Sequence, residues 1–429
     1  MAMLVNRSGE KLSIDRGELR SLVAETLGKL PQPLRKVLII PPDHTRLNSM
    51  AGPITAIIYE MLHATAHIDI MPALGTHNAM SESELRMMYG ETIPLDRFLV
   101  HDWRHDVVKV GEVPGSLLSE WSGGKVDYSV SVEVNKQLFA GYDAILSVGQ
   151  VVPHEVIGLA NYTKNIMVGV GGADTINKSH FLGAACNMEK ILGRAENPVR
   201  TLFNYGVGQF LSNLPITYIL TVMEKDNSTG KMHMRGFYSG ADEEAFLTAS
   251  KLAQKVNIQI LDRELKKVVV YLDPEEFKST WLGNKAVYRT RMAIADGGEL
   301  IVLAPALKEF GEDKEIDRLV RKYGYKGTPN TLKAVRENEE LRNNLGAAAH
   351  LIHGSSEGRF KITYCPGPAM PLAAVESVGF AAVAYDEMSR KYDPKCLKDG
   401  FNTMADGEEV FYISNPALGL WAFKDKFGE

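Results

Sequence analysis

Three short polar segments hold side chains that can bind anions and transfer protons. The first is Asp43-His44-Thr45-Arg46, which joins a carboxylate, an imidazole, a hydroxyl and a guanidinium. A guanidinium binds a carboxylate or phosphate through two parallel hydrogen bonds, so this loop predicts an anion site. An Asp helix cap beside a solvated Arg would give the same residues. His77, after Gly75-Thr76, and His154, after Pro153, are candidate general acids or bases.

The stretch from 153 to 180 concentrates further candidates around a glycine-rich turn. They are His154, Lys164, His180, Gly169, Gly171 and Gly172. Small residues let backbone N–H groups approach a phosphate, and a helix starting at Ala173 would point its positive end at the same anion. Lys164 is then a candidate phosphate partner or covalent anchor. The turn matches neither GxxxxGK[ST] nor a strict GxGxxG motif, so the glycines alone are weak support.

The alternation of apolar and amphipathic segments predicts an α/β fold with two α/β domains and largely parallel sheets. Strands are expected at 37–40, 68–74, 143–151, 216–224, 268–272 and 300–303, and helices at 52–66, 242–257 and 284–295. Ser81 and Glu84 form a capping box that starts another helix. Ligands of open α/β sheets lie beyond the carboxyl ends of the strands, so the loops after the first three strands should meet at one site.

The chain length predicts two domains, residues 1–260 as an N-terminal cofactor-binding α/β domain and residues 261–429 as a C-terminal α/β domain. The boundary should lie near 255–267, and 226–230 should form a turn. We expect the active site in the cleft between the domains.

Composition excludes several classes of protein. With 429 residues, 45% apolar, 24% charged and a net charge of −5, the chain is neither disordered nor suited to binding nucleic acid. The cysteines Cys186, Cys365 and Cys396 are too far apart for a metal knuckle or a disulfide framework, which favours a reducing cytoplasm. No apolar run is long enough to span a membrane. Two His and two Asp within 101–106 lack a third ligand at a recognisable spacing, so we expect no metal site there.

Together these motifs resemble the nickel-dependent lactate racemase family, whose members interconvert stereoisomers of 2-hydroxy acids. That family has an Asp-x-Thr-Arg loop, a Gly-x-His and a Pro-His motif in this order. A Lys follows ten residues beyond the last His, and another His sixteen residues beyond the Lys. The matching segments here are 43–46, 75–77, 153–154, Lys164 and His180. Later in the chain, a helix is followed by Gly-Gly and a strand, as in that family, and this extends the resemblance to 296–303.

The resemblance implies a nickel pincer nucleotide cofactor, nickel pyridinium-3,5-bisthiocarboxylic acid mononucleotide, made by cofactor-assembly proteins and covalently tethered to Lys164. His180 would be the nickel ligand of the protein. Thr45, Gly171 and Gly172 would contact the cofactor.

The same resemblance implies how the substrate would be held and converted. His77 and His154 would form an acid/base pair, Arg46 would bind the substrate, and Asp43 would orient its neighbours. A second-domain lysine grips the substrate carboxylate in that family. Lys285 is the candidate here, and Arg289, one helical turn later, competes with it.

The expected chemistry explains the need for two histidines. The Cα hydrogen of a 2-hydroxy carboxylate is barely acidic because the adjacent carboxylate is already anionic. Hydride transfer to the cofactor avoids a carbanion, since one imidazole takes the hydroxyl proton and a planar 2-keto acid forms. That acid can receive the hydride on either face. Nickel favours tetragonal coordination by nitrogen and soft ligands, so a planar cofactor that offers two sulfurs and one carbon, together with one imidazole, is a plausible ligand set.

Two departures from many relatives concern the substrate. Leu47 stands where they have Pro, and Leu159-Ala160-Asn161-Tyr162-Thr163 precedes Lys164 in place of a Ser-Gly-Gly-Arg-Lys run. We expect Asn161, Tyr162 and Thr163 to bind extra substrate hydroxyls. The substrate is therefore a short 2-hydroxy acid such as lactate, or a sugar acid (aldonate).

Two other functions fit the same residues. A nicotinamide-dependent 2-hydroxy-acid dehydrogenase would need added NAD and would not depend on Lys164. A non-catalytic phosphate- or carboxylate-binding protein would bind a ligand without changing its stereochemistry.

Overall fold

The computed structural model describes residues 3–226 and 229–427, which form two compact units. The first unit runs up to Ser179 and continues over Ile191–Asn257. The second contains His180–Lys190 and the chain from Ile258 onward. The predicted domains were contiguous, whereas a short segment of the N-terminal half belongs to the second unit. The expected turn at 226–230 includes Asn227 and Ser228, which lie outside the described residues.

The first unit is built from short strands and amphipathic helices in alternation. Its strands are β1 Val5–Ser8, β2 Lys36–Ile40, β3 His67–Ile70, β4 Val107–Val113, β5 Val130–Asn135, β6 Ala144–Gln150, β7 Pro153–His154, β8 Gly158–Leu159, β9 Ile216–Lys225 and β10 Met232–Gly240. Its helices are α1 Arg16–Gly28, α2 Ala51–Leu62, α3 Glu82–Tyr89, α4 Gly115–Ser122, α5 Ala173–Ala185, α6 Pro198–Phe210 and α7 Glu243–Asn257. Helix α5 begins in this unit and ends in the segment assigned to the second.

The main sheet of the first unit has the strand order β1-β10-β9-β6-β2-β3. Strands β3, β2, β6 and β9 pair in parallel, and β10 and β1 complete one edge in antiparallel pairing. Val37 and Ile39 of β2 pack in one apolar cluster, which includes residues of α1 and α2. Leu38 and Ile40 pack in another, which includes residues of α7. Helices therefore cover both faces, which explains the uninterrupted apolar run of this strand.

The second unit repeats the same architecture. Its strands are β11 Gln259–Leu261, β12 Leu265–Tyr271, β13 Ile294–Ala304, β14 Lys361–Pro366, β15 Ala381–Ala382, β16 Gly400–Thr403, β17 Glu409–Ile413 and β18 Trp421–Phe423. Its helices are α8 Thr280–Gly283, α9 Lys285–Tyr288, α10 Lys314–Tyr323, α11 Thr328–Glu337, α12 Glu339–Arg342, α13 Leu345–His353, α14 Leu372–Ser377, α15 Tyr385–Lys391 and α16 Lys424–Phe427. The main sheet has the order β15-β14-β13-β12-β17-β16, and the β16–β17 pair is antiparallel.

The predicted fold class, α/β with largely parallel sheets, is confirmed. The position of the active site between the domains stays a prediction. The helix expected at 284–295 is wrong, because α9 ends at Tyr288 and β13 has begun by Ile294. Ile294 pairs with Leu265 of β12, and this strand pairing prevails over the helical pattern. Among the described residues, no helix is both long and apolar enough to cross a bilayer.

A buried ion cluster fixes the segment His180–Lys190 within the second unit. The Arg291 side chain is 2% exposed, and its Nε donates to Glu189 Oε1 at 3.1 Å. Arg359 Nη1 binds the same carboxylate oxygen at 2.5 Å and also donates to the Arg291 carbonyl oxygen. One carboxylate thus compensates two cations that are largely withdrawn from water.

We predict that Glu189→Gln destabilises the second unit by roughly 3 kcal/mol, because it leaves the buried Arg291 cation without its carboxylate. Chemical denaturation followed by fluorescence measures the free energy of unfolding. Glu315→Gln is the control, since its ion pair with Arg318 is exposed and should contribute about 1 kcal/mol or less. Equal stability of the two variants would contradict the importance of the buried cluster.

Candidate functional site

The loop after β2 and the loop after β3 meet in a hydrogen bond between Asp43 and His77. The distance from His77 Nδ1 to Asp43 Oδ2 is 2.6 Å. The aspartate side chain is 5% exposed and the imidazole 57% exposed. Because an ionised carboxylate only accepts hydrogen bonds, we assign the His77 proton to Nδ1. The Nε2 atom is then free to act as a base toward solvent or substrate.

Asp43 remains ionised despite its burial. Burial acts to raise the pKa of Asp43, but the hydrogen bonds from His77 and Thr45 and the charges of His77 and Arg46 outweigh it and lower the pKa overall. Asp43 also caps the short 3-10 turn His44–Ser49, since its Oδ1 accepts the Thr45 N–H at 3.2 Å. Asp43 therefore caps the turn, as the sequence allowed, and it also binds His77, as its functional role requires.

Arg46 presents its guanidinium to solvent beside this pair. Its Nη1 atom donates to the carbonyl and hydroxyl oxygens of Thr45, both at 3.3 Å. Within the described chain, Arg46 forms no ion pair. Most of its N–H groups are thus available for an external anion.

Lys164 lies close enough to this loop to be influenced by its charges. Burial and the positive charge of Arg46 lower the pKa of Lys164 while Glu155 and Asp43 act in the opposite direction, and the net result is a pKa of about 8. The lysine is partly buried. Its ammonium group forms no hydrogen bond or ion pair with any residue that the structure describes. About a tenth of this amine is therefore uncharged and nucleophilic at pH 7, far more than for an ordinary lysine with a pKa of about 10.4.

His154 belongs to a tight hairpin in which β7 and β8 pair His154 with Gly158. Its Nδ1 accepts the backbone N–H of Val156 at 3.2 Å, so the neutral ring carries its proton on Nε2. The histidine is partly buried. The negative charge of the adjacent Glu155 raises the pKa of Lys164, so this hairpin is near enough to influence the lysine.

The glycines of the turn before α5 are explained by close packing. A side chain at Gly171 would overlap the Met167 carbonyl, and one at Gly172 would overlap Glu133. The Gly171 N–H donates to the Val168 carbonyl and the Gly172 N–H donates to the Glu133 carbonyl. Neither N–H is left for a phosphate, and the expected cofactor contact of these glycines stays a prediction.

Helix α5 begins at Ala173, as the sequence predicted, but its N-terminus is already supplied with carboxylates. Glu133 Oε2 accepts the Asp174 N–H at 3.3 Å, and Asp174 itself binds the Ser131 N–H at 2.7 Å. An additional anion at this helix end would be repelled by both side chains.

The polar residues before Lys164 are used within the protein. Thr163 is 2% exposed, and its hydroxyl donates to Asn204 Oδ1 at 2.8 Å. Tyr162 is 7% exposed and stacks on Phe246. Asn161 Oδ1 accepts the Tyr162 N–H at 2.7 Å. Packing and internal hydrogen bonds engage the Thr163 hydroxyl, the Tyr162 ring and Asn161 Oδ1, and the expectation that these side chains bind extra substrate hydroxyls stays a prediction.

The remaining predicted residues belong to the second unit. His180 lies on α5 at the start of the segment assigned there. Lys285 begins α9, with its Nζ 3.6 Å from Glu276 Oε1. Arg289 Nη1 is 3.5 Å from the Gly419 carbonyl oxygen. Their roles toward metal and substrate stay predictions.

The two histidines of the segment 101–106 are engaged by neighbouring groups, and the expectation of no metal site there stays a prediction. His101 is buried between the Gly171 carbonyl and Asn135, and burial lowers its pKa. His105 binds Asp102 at 2.7 Å on the surface. Among the described residues, no group of three or more His, Cys, Asp or Glu side chains is arranged to hold a metal ion.

Sequence reasoning missed Arg200, which is 2% exposed and donates to the residues before Lys164. It lies in the first turn of α6, after the Asn197 N-cap and Pro198. A sequence shows such a cap, but it does not show that a charged residue in the first turn points inward.

Comparison with known proteins supports the interpretation of the first unit. Residues 6–191 match the family described as lactate racemase N-terminal domain. No curated protein matches the chain. The fold is similar to a crystal structure of a protein from Thermotoga maritima, with a TM-score of 0.76 at 21% identity over 97% of this chain and 100% of that one.

A second similar fold is the lactate racemase apoprotein from Thermoanaerobacterium thermosaccharolyticum. The TM-score is 0.68 at 16% identity, over 97% of this chain and 94% of that one. Both likenesses concern the fold, and the family match concerns the part of the chain that holds the Asp43–His77 pair and Lys164. The resemblance inferred from the motifs is thus confirmed for residues 6–191, which match the lactate racemase N-terminal domain.

Proposed function

We propose that this protein is a racemase or epimerase that inverts C2 of a 2-hydroxy acid. The observation that carries the proposal is the Lys164 amine, which is near enough to Arg46 and Asp43 to be influenced by their charges and has no ionic partner among the described residues. A lysine kept partly uncharged next to an anion-binding arginine is suited to a covalent attachment. The family match over 6–191 favours this function over other uses of a reactive lysine.

The residues fit a tethered nickel pincer nucleotide in their donor chemistry. Lys164 offers a nucleophilic amine for the thioamide link, and Arg46 offers free N–H groups to an anion. Thr45 lies in the same loop, although its hydroxyl already contacts Asp43. When bound, this cofactor supplies a hydride acceptor for C2 of the substrate. We propose His180 as the nickel ligand and cofactor-assembly proteins as partners in a cytoplasmic setting.

The residues of this chain perform the proton transfers in the proposed mechanism. His77 Nε2 accepts the hydroxyl proton of one enantiomer while Asp43 holds the opposite ring nitrogen and stabilises the imidazolium that forms. His154 serves the other enantiomer in the same way. Arg46 binds the substrate carboxylate through its guanidinium, and Lys285 or Arg289 is the proposed second cation.

The proposed substrate is a short 2-hydroxy acid such as lactate. The side chains that suggested an aldonate, Asn161, Tyr162 and Thr163, are engaged within the protein. A panel of chiral 2-hydroxy acids and aldonates, with the stereoisomers resolved after incubation, decides between the two classes.

The covalent anchor is tested by intact-mass measurement of protein produced together with cofactor-assembly proteins. We expect the wild type to gain about the mass of one modified mononucleotide and Lys164→Ala to gain none. Lys136→Ala is the control, since that lysine pairs with Asp106 on the surface. An unmodified chain that still converts enantiomers would reject the proposal. Conversion that needs added NAD and persists in Lys164→Ala would indicate a dehydrogenase instead.

The state of the Lys164 amine is tested on protein made without the cofactor. We expect acylation of this lysine, followed by peptide mass spectrometry over a range of pH, to reach half its maximal rate at about pH 8. The amine must lose its proton to react, so the rate rises with pH through the pKa. A lysine model peptide, with a pKa of about 10.4, is the reference. A Lys164 midpoint equal to that of the peptide would contradict the proposed environment.

The acid/base role of His77 predicts a loss of turnover without loss of the cofactor. We expect His77→Gln to lower kcat roughly 10²- to 10⁴-fold while the added mass is unchanged. His63→Gln is the control, because His63 lies on the surface after α2, stacked on Tyr59. Turnover of His77→Gln at the level of this control would show that His77 is not part of the acid/base pair.

A further inference from the structure

Two consecutive residues before Lys164 have left-handed backbone conformations although neither is glycine. Asn161 has φ of 67° and Tyr162 has φ of 58°. Such a conformation costs of order 1–3 kcal/mol for a residue with a side chain, and a bulky aromatic residue rarely adopts it. Surrounding contacts must therefore hold this pair in place.

The contacts come largely from one buried side chain, Arg200. Its Nη1 donates to the Asn161 carbonyl at 3.1 Å and to the Thr163 hydroxyl at 2.9 Å. Its Nη2 donates to the Leu159 carbonyl at 2.6 Å. A planar guanidinium with fixed N–H directions thus binds three acceptors within the five residues that precede Lys164.

Arg200 is itself held from several sides. Asn197 Oδ1 accepts its backbone N–H at 3.0 Å, which places the residue in the first turn of α6. Its guanidinium carbon lies 4.2 Å from the centre of the Phe246 ring, a distance at which cation and ring attract each other. Within the described residues, Arg200 has no carboxylate at ion-pair distance. Burial lowers the pKa of Arg200 to about 9, while the nearby Tyr162 and Glu243 act in the opposite direction, so the guanidinium is still ionised at neutral pH.

We infer that Arg200 is a positioning residue for Lys164: it holds residues 159–163, which include the left-handed pair Asn161 and Tyr162, in the path that fixes the position of the lysine amine relative to Arg46 and Asp43. The use of that amine as an anchor depends on the proposed function, but the positioning does not. A charge buried against carbonyl groups is expensive, so a lysine or a neutral residue cannot replace the forked set of hydrogen bonds.

Arg200 also contributes to the electrostatics at Lys164. After burial, Arg46, Glu155, Arg200 and Asp43 act on this amine in that order, and the positive charge of Arg200 lowers the pKa of Lys164. An experiment on Arg200 must therefore separate its charge from its hydrogen bonds.

Four variants make this separation: Arg200→Gln, Arg200→Lys, Asn161→Gly and the double variant Asn161→Gly with Arg200→Gln. The readout is the pH midpoint of Lys164 acylation in protein without the cofactor, with thermal unfolding measured in parallel. We expect the midpoint to rise from about 8 toward the roughly 10.4 of a free lysine in Arg200→Gln. Arg200→Lys should also rise, although it keeps the positive charge, because one ammonium cannot replace the fork.

The double variant provides the most specific result. Glycine adopts a positive φ without steric cost, so Asn161→Gly should return the midpoint of the Arg200→Gln protein toward about 8 although the cation is still missing. Gain of cofactor mass should return with it. If Arg200 has only a packing role, Arg200→Lys, which keeps the charge, should lower the unfolding temperature but leave the lysine midpoint unchanged, and the glycine should have no effect.

Arg235→Gln is the matched control, because Arg235 is a mostly buried arginine of the same unit that pairs with Glu224 and does not contact residues 159–163. A midpoint of about 8 in folded Arg200→Gln and Arg200→Lys would overturn the inference. So would a double variant that behaves like Arg200→Gln alone. If Arg200→Gln does not fold, the Arg200→Lys and double variants decide. Failure of the wild type to gain cofactor mass would reject the proposed function and leave the acylation result for Arg200 intact.

Discussion

The Lys164 amine is buried within the influence of the Arg46 cation and has no carboxylate bound to it among the described residues, and this constraint governs the candidate site. An ammonium group in such a position loses hydration and meets a like charge, so its pKa falls to about 8. A salt bridge would have restored the ordinary charge and removed the nucleophile. The same arrangement leaves two positive groups facing an incoming anion, which suits both a phosphorylated cofactor and a substrate carboxylate.

The Asp43–His77 hydrogen bond supplies the second requirement, a base with a defined free nitrogen. Asp43 remains ionised because hydrogen bonds and nearby cations outweigh its burial. The aspartate and the arginine come from one loop after β2, and the histidine comes from the loop after β3. In our inference, Arg200 fixes the position of the lysine by holding residues 159–163, in which Asn161 and Tyr162 are left-handed. The site thus depends on one parallel sheet edge and one buried arginine.

Much of this could be predicted from the sequence, because the relevant signals are local. The apolar run Val37–Ile40 and the polar loop after it indicated a strand that ends at a site, and the Ser81–Glu84 capping box is present as predicted. The spacing of His154, Lys164 and His180 supported the family, which the match over 6–191 confirmed. The sequence-based prediction of secondary structure failed where contacts between segments distant in sequence determine the local conformation. Pairing of Ile294 with Leu265 shortens the helix expected at 284–295. No local pattern shows that Arg200 points inward.

The most direct test of the account follows the hydrogen at C2. Cofactor-loaded protein is incubated in ordinary water with one enantiomer of lactate deuterated at C2, and the opposite enantiomer is isolated and analysed by mass spectrometry. The account predicts that the inverted product keeps its deuterium, because C2 transfers and recovers a hydride while His77 and His154 move only the hydroxyl proton. Inverted product that carries hydrogen from the solvent at C2, or no inversion of any 2-hydroxy acid, would contradict it.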